Sequence, residues 1–589
     1  MASELLLQIV NLKKTYGEKI ILDNANLNIH AKQKIGVIGR NGAGKSTLFK
    51  IIMGEEEKDS GIVNFMPALK IGYIPQADPF SVDETVIGFL ERYTKRPNWE
   101  CATMAAKFQL KGEKLAGLIG DLSGGYQMRV KLTATLLFEP NLLLLDEPTN
   151  YLDLSTLLLL ENFLQTFRGG FMVITHDREF IKKTCTSTVE VDQGEIYFHS
   201  EGLEDYLEFK EERMNFAAIA NKNIEQKQKQ LKTFVDRFGS KASMAKSAQS
   251  KLKVIDKLED TKVSLKKSLA TVRMLIPPVL QRSGQALELE NVSIGYGDKI
   301  VASGITIDCQ KGKKVAILGD NGQGKSTLMK TVVGSIPVLS GKMEWKSSLK
   351  VAYYAQHLNQ VLDPNETIED YLRRTSDPSV SDEVIFKMLG NFLFKKKDSQ
   401  KNTGVLSGGE KARLCLAGMF LSLSDVILLD EPTNHLDFET VEAMGFALSQ
   451  FNGTVFVISH DRTFVNLLAD EIWEVGNGSV KRVLGSYSDY VWQKTMETTK
   501  QLNENSGESG DPFAPQNVNS SNKPVINLDK NQRVKLYNLK KEFGKCENKL
   551  KSLNQKKELD LTDQKNLEEL EIWEKKWLEL ESEISKLES

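Results

Sequence analysis

The chain has 589 residues, a length typical of three or four domains, and its 40% hydrophobic fraction can supply sizeable cores. A net charge of −2 gives no global sign of a nucleic-acid-binding protein, and five scattered cysteines without a Cys-x-x-Cys pair argue against a zinc site or a disulfide framework. The sequence has no signal-peptide pattern and no run of about 18 apolar residues, so we expect a cytoplasmic protein with no membrane domain in this chain.

The first motif along the chain is a glycine-rich phosphate-binding loop (P-loop). Residues 39–47 read Gly-Arg-Asn-Gly-Ala-Gly-Lys-Ser-Thr, after an apolar run at 35–38 that predicts a strand and before a run at 48–53 that predicts a helix. Backbone N–H groups of such a loop surround phosphate oxygens, and the helix N-terminus adds partial positive charge. We therefore expect Lys45 to reach the β- and γ-phosphates and Ser46 to be a ligand of Mg²⁺.

The chain repeats this motif and its companions once, in the same order. The second P-loop lies at 319–327, 280 residues after the first, and three further motifs recur at an offset of 284. Strand and helix patterns alternate within each copy, which predicts an α/β fold class with two tandem P-loop nucleoside triphosphatase domains of about 200 residues. The recurring motifs are Leu-Ser-Gly-Gly at 122–125 and 406–409, Asp-Glu-Pro-Thr-Asn at 146–150 and 430–434, and His-Asp-Arg at 176–178 and 460–462.

Paired carboxylates follow the most apolar strand of each copy. The runs 142–145 and 426–429 have no polar residue, as expected for strands buried on both faces, and each ends in Asp-Glu. Such strand ends lie beside the ligand in open α/β sheets. We expect Asp146 and Asp430 to hold Mg²⁺, and the glutamates after them, Glu147 and Glu431, to polarise the attacking water. The alternative is that these acids only cap helices, which would have to occur twice at one offset.

The motif order P-loop, glutamine, Leu-Ser-Gly-Gly, Asp-Glu, His resembles that of the ATP-binding cassette (ABC) ATPases over roughly residues 5–210 and 286–495. The resemblance implies that Gln76 and Gln356 contact the metal and water. It also implies that His176 and His460 contact the γ-phosphate. The catalytic set is therefore Glu147, Glu431, His176, His460, Gln76 and Gln356, and the Mg²⁺ set is Ser46, Gln76, Asp146, Ser326, Gln356 and Asp430.

The same resemblance implies the ATP-binding residues, including aromatic side chains that stack on adenine. They are Tyr16, Gly39, Asn41, Gly42, Gly44, Lys45, Ser46, Thr47, Ser123, Gly124, Gly125, Tyr296, Gly319, Asn321, Gly322, Gly324, Lys325, Ser326, Thr327, Ser407, Gly408 and Gly409.

ABC cassettes pair head to tail, so the resemblance implies two composite sites within one monomer. Site one combines the Lys45 P-loop with Ser407–Gly409, and site two combines the Lys325 P-loop with Ser123–Gly125. A serine hydroxyl, glycine N–H groups and a helix N-terminus all suit a γ-phosphate. Both sites keep every motif residue, which predicts two competent sites. They differ after Leu-Ser-Gly-Gly, where the first cassette has Tyr126 and the second has Glu410.

A basic segment joins the cassettes. Residues 213–282 carry sixteen Lys or Arg and five Asp or Glu, and apolar residues recur every seven positions. This pattern predicts a helical hairpin with a basic tip at 241–247. The arrangement resembles the ABC-F family, soluble twin-cassette ATPases that act on the ribosome, and it implies contact with rRNA and tRNA. The alternative is a solvated spacer. Only 47 positions separate Gln76 from Ser123, too few for the helical arm that many members insert.

The C-terminal tail predicts a flexible linker and then an antiparallel coiled-coil hairpin. Residues 530–557 carry ten basic and two acidic side chains, whereas 558–589 carry four basic and eleven acidic ones. The tail resembles the Uup-type subgroup of ABC-F and implies possible DNA binding, while packing or dimerisation stays an alternative. The domains expected are cassette one at 5–210, the linker at 211–284, cassette two at 285–495, the flexible linker at 496–528 and the coiled coil at 529–589.

Together these features predict an ATPase that uses ATP and Mg²⁺, binds the ribosome and modulates translation. One alternative is an ATPase that binds branched DNA through its tail. The other is the ATPase subunit of a transporter, with the membrane part on another chain.

Overall fold

The computed structural model describes nine stretches and eight single residues of the chain. They are 4–17, 19–75, 78–150, 152–238, 254, 274, 276–279, 283–346, 348–355, 362–434 and 436–505, with 539, 573, 575, 576, 579 and 583. The predicted metal ligands Gln76 and Gln356, the basic tip at 241–247 and nearly all of the predicted coiled coil lie outside the described residues.

The first cassette alternates strands and helices, as its sequence predicts. Its strands are β1 (Leu5–Tyr16), β2 (Lys19–His30), β3 (Lys34–Ile38), β4 (Ser60–Phe65), β5 (Ile71–Ile74), β6 (Leu142–Asp146), β7 (Gly170–Ile174), β8 (Ser187–Asp192) and β9 (Glu195–His199). Its helices are α1 (Lys45–Met53), α2 (Val86–Thr94), α3 (Asn98–Lys107), α4 (Glu113–Ala116), α5 (Gly124–Leu136), α6 (Leu154–Thr166), α7 (Arg178–Thr184) and α8 (Leu203–Phe238).

The second cassette repeats this order of elements. Its strands are β10 (Gln285–Tyr296), β11 (Lys299–Gln310), β12 (Lys314–Leu318), β13 (Ser340–Trp345), β14 (Val351–Tyr354), β15 (Val426–Asp430), β16 (Thr454–Ile458), β17 (Glu471–Gly476) and β18 (Ser479–Val483). Its helices are α9 (Lys325–Val333), α10 (Ile368–Thr375), α11 (Asp382–Asn391), α12 (Gly408–Leu421), α13 (Phe438–Gln450), α14 (Arg462–Leu468) and α15 (Tyr487–Asn505). The predicted α/β fold of two tandem cassettes is confirmed.

Each cassette contains a six-stranded sheet whose strand order brings the motifs to one edge. The orders are β5-β6-β7-β3-β8-β9 and β14-β15-β16-β12-β17-β18, parallel except for the last strand of each. The P-loop follows β3, and Asp-Glu ends β6, one strand away across β7. Because carboxyl ends of parallel strands meet at one edge, loop and carboxylates face the same crevice.

Apolar side chains fill both faces of each parallel sheet. The four leucines at 142–145 have no exposed surface, which is why this strand has no alternation of polar and apolar residues. One face packs against α1 and a three-stranded antiparallel sheet, β2-β1-β4, and the other packs against α2, α3 and α5. The P-loop thus follows a strand of a sheet that is packed on both faces.

The helices that leave the two cassettes cross two boundaries expected from the sequence. Helix α8 runs from 203 to 238 without a break at 210, and α15 runs through Asn505, into the segment expected as a flexible linker from 496. The latter expectation placed the linker too early, because residues 496–505 contain no Gly or Pro and continue the helix, whereas the Ser-Gly-rich composition starts at 506. In the described part of the chain, no helix is long and apolar enough to span a bilayer.

Candidate nucleotide sites

The P-loops adopt backbone conformations that only glycine supplies readily. Gly39 and Gly44 have φ of 144° and 108°. A Cβ on Gly39 would lie 2.3 Å from the Val191 carbonyl oxygen, and one on Gly319 would lie 2.1 Å from that of Val475. Both loops therefore keep the tight path that turns successive N–H groups inward, as phosphate binding requires.

The P-loop lysines lie inside their own loops. Lys45 Nζ donates to the carbonyl oxygens of Gly39 at 2.7 Å and Arg40 at 3.1 Å. Lys325 Nζ donates to those of Gly319 at 2.8 Å and Asp320 at 3.0 Å. Burial lowers the pKa of both ammonium groups. A bound anion in the loop would stabilise the charged lysine that burial disfavours, so the site is suited to phosphate.

The residues expected to bind Mg²⁺ converge in pairs. Ser46 Oγ lies 3.1 Å from Asp146 Oδ1, and Ser326 Oγ lies 3.4 Å from Asp430 Oδ1. Burial raises the pKa of both aspartates, so a cation beside them would stabilise their charged forms. Hydroxyl and carboxylate oxygens beside a phosphate cradle fit Mg²⁺, which takes oxygen ligands and is usually shared between protein and phosphates.

The predicted catalytic glutamates meet the predicted histidines. Glu147 Oε1 lies 3.3 Å from His176 Nε2, and Glu431 Oε1 lies 3.4 Å from His460 Nε2. Both glutamates have positive φ, 51° and 52°, a strained conformation for a non-glycine residue that recurs at functional sites. Burial raises the pKa of both glutamates to about 8 and lowers that of both histidines to about 3.

The other predicted ATP-binding residues line the same loops. Asn41 Oδ1 lies 3.1 Å from His176 Nε2, Gly42 and Gly322 have φ of 75° and 81°, and Thr327 Oγ1 lies 3.5 Å from the Tyr296 hydroxyl. Tyr16 and Tyr296 are the last residues of β1 and β10, and their side chains are about half exposed, at 47% and 51%. Exposed aromatic rings beside a P-loop suit stacking with a base.

Each P-loop contacts the opposite cassette. The Asn321 N–H donates to Asp153 Oδ2 at 3.3 Å, and Ser155 Oγ donates to Asp320 Oδ1 at 3.0 Å. In the other direction, Arg40 Nη2 lies 3.0 Å from Glu439 Oε2. Asp153 and Asp437 are the N-cap residues of α6 and α13, and each side chain accepts a hydrogen bond from the backbone N–H three residues later, at Thr156 and Thr440. The contacts run head to tail, from one P-loop to the helix that follows the other cassette's Asp-Glu motif.

The Leu-Ser-Gly-Gly motifs occupy helix N-termini. Ser123 and Ser407 are the N-cap residues of α5 and α12, with Gly124, Gly125, Gly408 and Gly409 in their first turns. In the described part of the chain, neither serine hydrogen-bonds to the opposite P-loop. The helices themselves approach it. The Arg129 guanidinium interacts electrostatically with Asp320, and its equivalent Arg413 interacts with Arg40.

Sequence reasoning missed the residues that join the cassettes. Asp153 and Asp437 belong to a repeated Asn-x-Leu-Asp segment, a signal that could have marked them. Asp177 and Arg462 belong to the repeated His-Asp-Arg motif, but their buried partner Glu161 had no such signal, because Gly445 occupies the position equivalent to Glu161.

Comparisons with known proteins agree with this architecture. A family profile described as ABC transporter matches residues 22–150 and 302–434, and a second profile with the same description matches residues 189–274. Probable ATP-binding protein YbiT of Escherichia coli O157:H7 is 30% identical over 528 residues, which cover 83% of this chain and 99% of that protein. ATP-binding protein Uup of Escherichia coli K12 is 32% identical and covers 81% of each chain.

Further comparisons extend to animal and archaeal proteins. ATP-binding cassette sub-family F member 3 of Mus musculus is 30% identical over 527 residues, covering 82% of this chain and 73% of that protein. Among solved structures, the archaeal ribosome recycling factor aABCE1 in complex with the stalk protein aP1 has a TM-score of 0.56 at 19% identity, covering 82% and 92% of the two chains. The RNase-L Inhibitor has a TM-score of 0.55 at 20% identity, covering 82% and 93%. These structures share the twin-cassette fold.

Proposed function

We propose, from the premise that this chain belongs to the ABC-F family of ATP-binding cassette proteins, that ATP closes its cassettes head to tail and that the closed form binds the ribosome. The chain is an ATPase, as its two cassettes and its relatives of ATP-binding function establish.

One observation carries the first part of the proposal, the pair of reciprocal contacts between P-loops and opposite helices. Asn321 meets Asp153, and Arg40 meets Glu439. A nucleotide in either loop would lie between cassettes, within reach of the opposite Leu-Ser-Gly-Gly helix N-terminus, whose partial positive charge favours an anion. Site one thus uses Lys45 with Ser407, and site two uses Lys325 with Ser123.

Within each site the residues have separate roles. The P-loop N–H groups and the lysine bind the phosphates, and Glu147 or Glu431 accepts a proton from the attacking water. The adjacent histidine, kept neutral by burial, donates or accepts a hydrogen bond without adding charge. Ser46 with Asp146, and Ser326 with Asp430, would hold Mg²⁺, which when bound neutralises charge on the phosphates.

The ribosomal part of the proposal is supported by charge and family. The linker between the cassettes has an excess of eleven basic side chains over residues 213–282, suited to a phosphate backbone. Helix α8, which begins it, leaves the first cassette as one continuous helix. The aABCE1 structure, of similar fold, is named as a ribosome recycling factor. The partners that fit this basic linker are rRNA and tRNA.

The test is co-sedimentation of the full chain with ribosomes. The Glu147→Gln, Glu431→Gln double variant should bind ATP, close and hydrolyse it too slowly to reopen, so it should pellet with ribosomes only when ATP is present. The matched control, Lys45→Ala with Lys325→Ala, should stay in the supernatant because it cannot hold the phosphates. A trapped variant that stays in the supernatant with ATP but shifts branched DNA on a gel would overturn the ribosomal proposal in favour of the tail.

A further inference from the structure

The two Leu-Ser-Gly-Gly serines have different hydrogen-bonding partners. The Ser407 hydroxyl donates to Glu410 Oε2 at 2.7 Å, and its backbone N–H donates to the same oxygen at 2.9 Å. The Glu410 N–H donates back to Ser407 Oγ, which completes a capping box at the start of α12. Ser123, the equivalent residue, makes no side-chain capping bond, and Tyr126 stands where the second cassette has Glu410.

The equivalent residues Tyr126 and Glu410 have different electrostatic surroundings. The Tyr126 ring packs against two cations, Lys114 and Arg129, whereas Glu410 keeps a carboxylate near Arg413. Arg413 in turn interacts with Arg40 in the P-loop of the first cassette. Glu410 is therefore part of the surroundings of site one, and it adds a negative charge where site two has cations around an aromatic ring.

A serine hydroxyl has one hydrogen to donate. While the Ser407 hydroxyl donates to Glu410, it cannot donate to a phosphate oxygen. A phosphate accepting from Ser407 would also lie roughly 5 Å from the Glu410 carboxylate, two hydrogen-bond lengths away, where like charges repel. Closing site one over ATP therefore requires the capping box to release Ser407, and closing site two has no such requirement.

We propose that Glu410 is a positioning residue that withholds Ser407 from the γ-phosphate, so that site one holds ATP less tightly than site two. The inference rests on the proposed head-to-tail function and deepens it. Both sites stay competent, because both keep every motif residue, but only site one must break an internal hydrogen bond to close.

The experiment measures release of labelled ATP from the full-length Glu147→Gln, Glu431→Gln variant after a chase with unlabelled ATP. We expect a fast and a slow phase of equal amplitude, and Lys45→Ala should remove the fast one, which assigns it to site one. Adding Glu410→Gln should slow the fast phase about tenfold, because a neutral amide accepts the Ser407 hydroxyl more weakly than a carboxylate does and does not repel the phosphate. Glutamine keeps the capping geometry, so a purely structural role for Glu410 would leave the rate unchanged. The effect should also shrink as ionic strength rises, because salt screens the repulsion.

The reciprocal variant, Tyr126→Glu, places the capping carboxylate beside Ser123 and should speed the slow phase, while the site-one phase reports that the protein remains folded. A fast phase that Glu410→Gln leaves unchanged, while Ser407→Ala speeds it, would overturn the role of Glu410 and keep head-to-tail closure. If Ser407→Ala and Ser123→Ala both leave release unchanged, the serines do not contact ATP across the interface and the proposed closure itself is wrong.

Discussion

The two edges of the cassette interface use equivalent positions but different contacts. The first edge is where P-loop 39–47 meets α13, and the second edge is where P-loop 319–327 meets α6. At the first edge, Arg40 pairs with Glu439 and Arg178 lies 3.8 Å from Glu442, with all four side chains about a quarter to a third exposed. Ion pairs of this kind are screened by water and salt and contribute little.

The second edge continues into buried contacts. Leu154 at the start of α6 packs against the core of the second cassette, and α15 of that cassette packs against α6. Further along α6, Glu161 pairs with Arg462, which also lies 3.3 Å from Asp177 and is only 4% exposed. We infer that the second edge holds the cassettes together and that the first edge opens and closes. Glu410 adds to this difference, because by withholding Ser407 it weakens the closure of site one, which lies at the first edge.

The largest expected effect comes from Arg462, compared with its equivalent Arg178. Arg462→Ala removes the buried cation shared by Glu161 and Asp177 and leaves Glu161 only the more exposed Lys183, a loss of about 3–5 kcal/mol. Arg178→Ala removes a pair whose side chains are about a quarter exposed and which is worth about 0–1 kcal/mol. Thermal and urea unfolding of the full chain measures both. Equal losses from the two substitutions would remove the distinction between the edges.

Next in size is the effect of the buried catalytic glutamates, which should be the same in both sites. Their pKa is raised from 4.5 to about 8, so between these pH values the folded chain holds protons that the unfolded chain has lost. Stability from each group is therefore present below about pH 4.5 and is lost as the pH rises towards 8. Glu147→Gln or Glu431→Gln should each stabilise the chain by up to about 4 kcal/mol at pH 8 and by about 1 kcal/mol at pH 5.

Denaturant unfolding at the two pH values checks this prediction, with each single variant as the control for the other. A gain at only one glutamate would locate part of the asymmetry in the catalytic centres rather than at the edges. A gain of equal size at pH 5 and pH 8 would mean that proton binding is not its cause.

The smallest expected effect is the coupling between Arg40 and Glu439. A double-mutant cycle with alanine at each position should give about 0.2–1 kcal/mol at low salt, and the coupling should disappear near 1 M salt, where the screening length is about 3 Å. The same cycle on Arg462 and Glu161 should keep most of its coupling in salt. A salt-resistant Arg40–Glu439 coupling would show that the first edge is also a buried, permanent contact.

The sequence predicted the parts of the sites that depend on local pattern. Uninterrupted apolar runs gave the strands at 142–145 and 426–429, and glycine spacing gave both P-loops with their helices. The Ser-x-x-Glu spacing of the capping box at Ser407 was equally readable, but its consequence depends on what faces Ser407 in the fold. The Arg462–Glu161 contact joins residues 301 positions apart and has no local signature. The asymmetry of the interface therefore became visible only in three dimensions.

The most direct test measures distances across both sites with spin labels at equivalent exposed positions. Lys19 and Lys395 span site one, and Lys299 and Lys111 span site two. The labels go on cysteines at these positions in a Cys546→Ser background, since the four cysteines in the described residues are buried. Without nucleotide, we expect a broad distance distribution for Lys19/Lys395 that ATP narrows in the Glu147→Gln, Glu431→Gln variant, and a narrow, nearly unchanged one for Lys299/Lys111. Equal changes at both pairs, or a larger change at Lys299/Lys111, would contradict an interface that opens at the first edge.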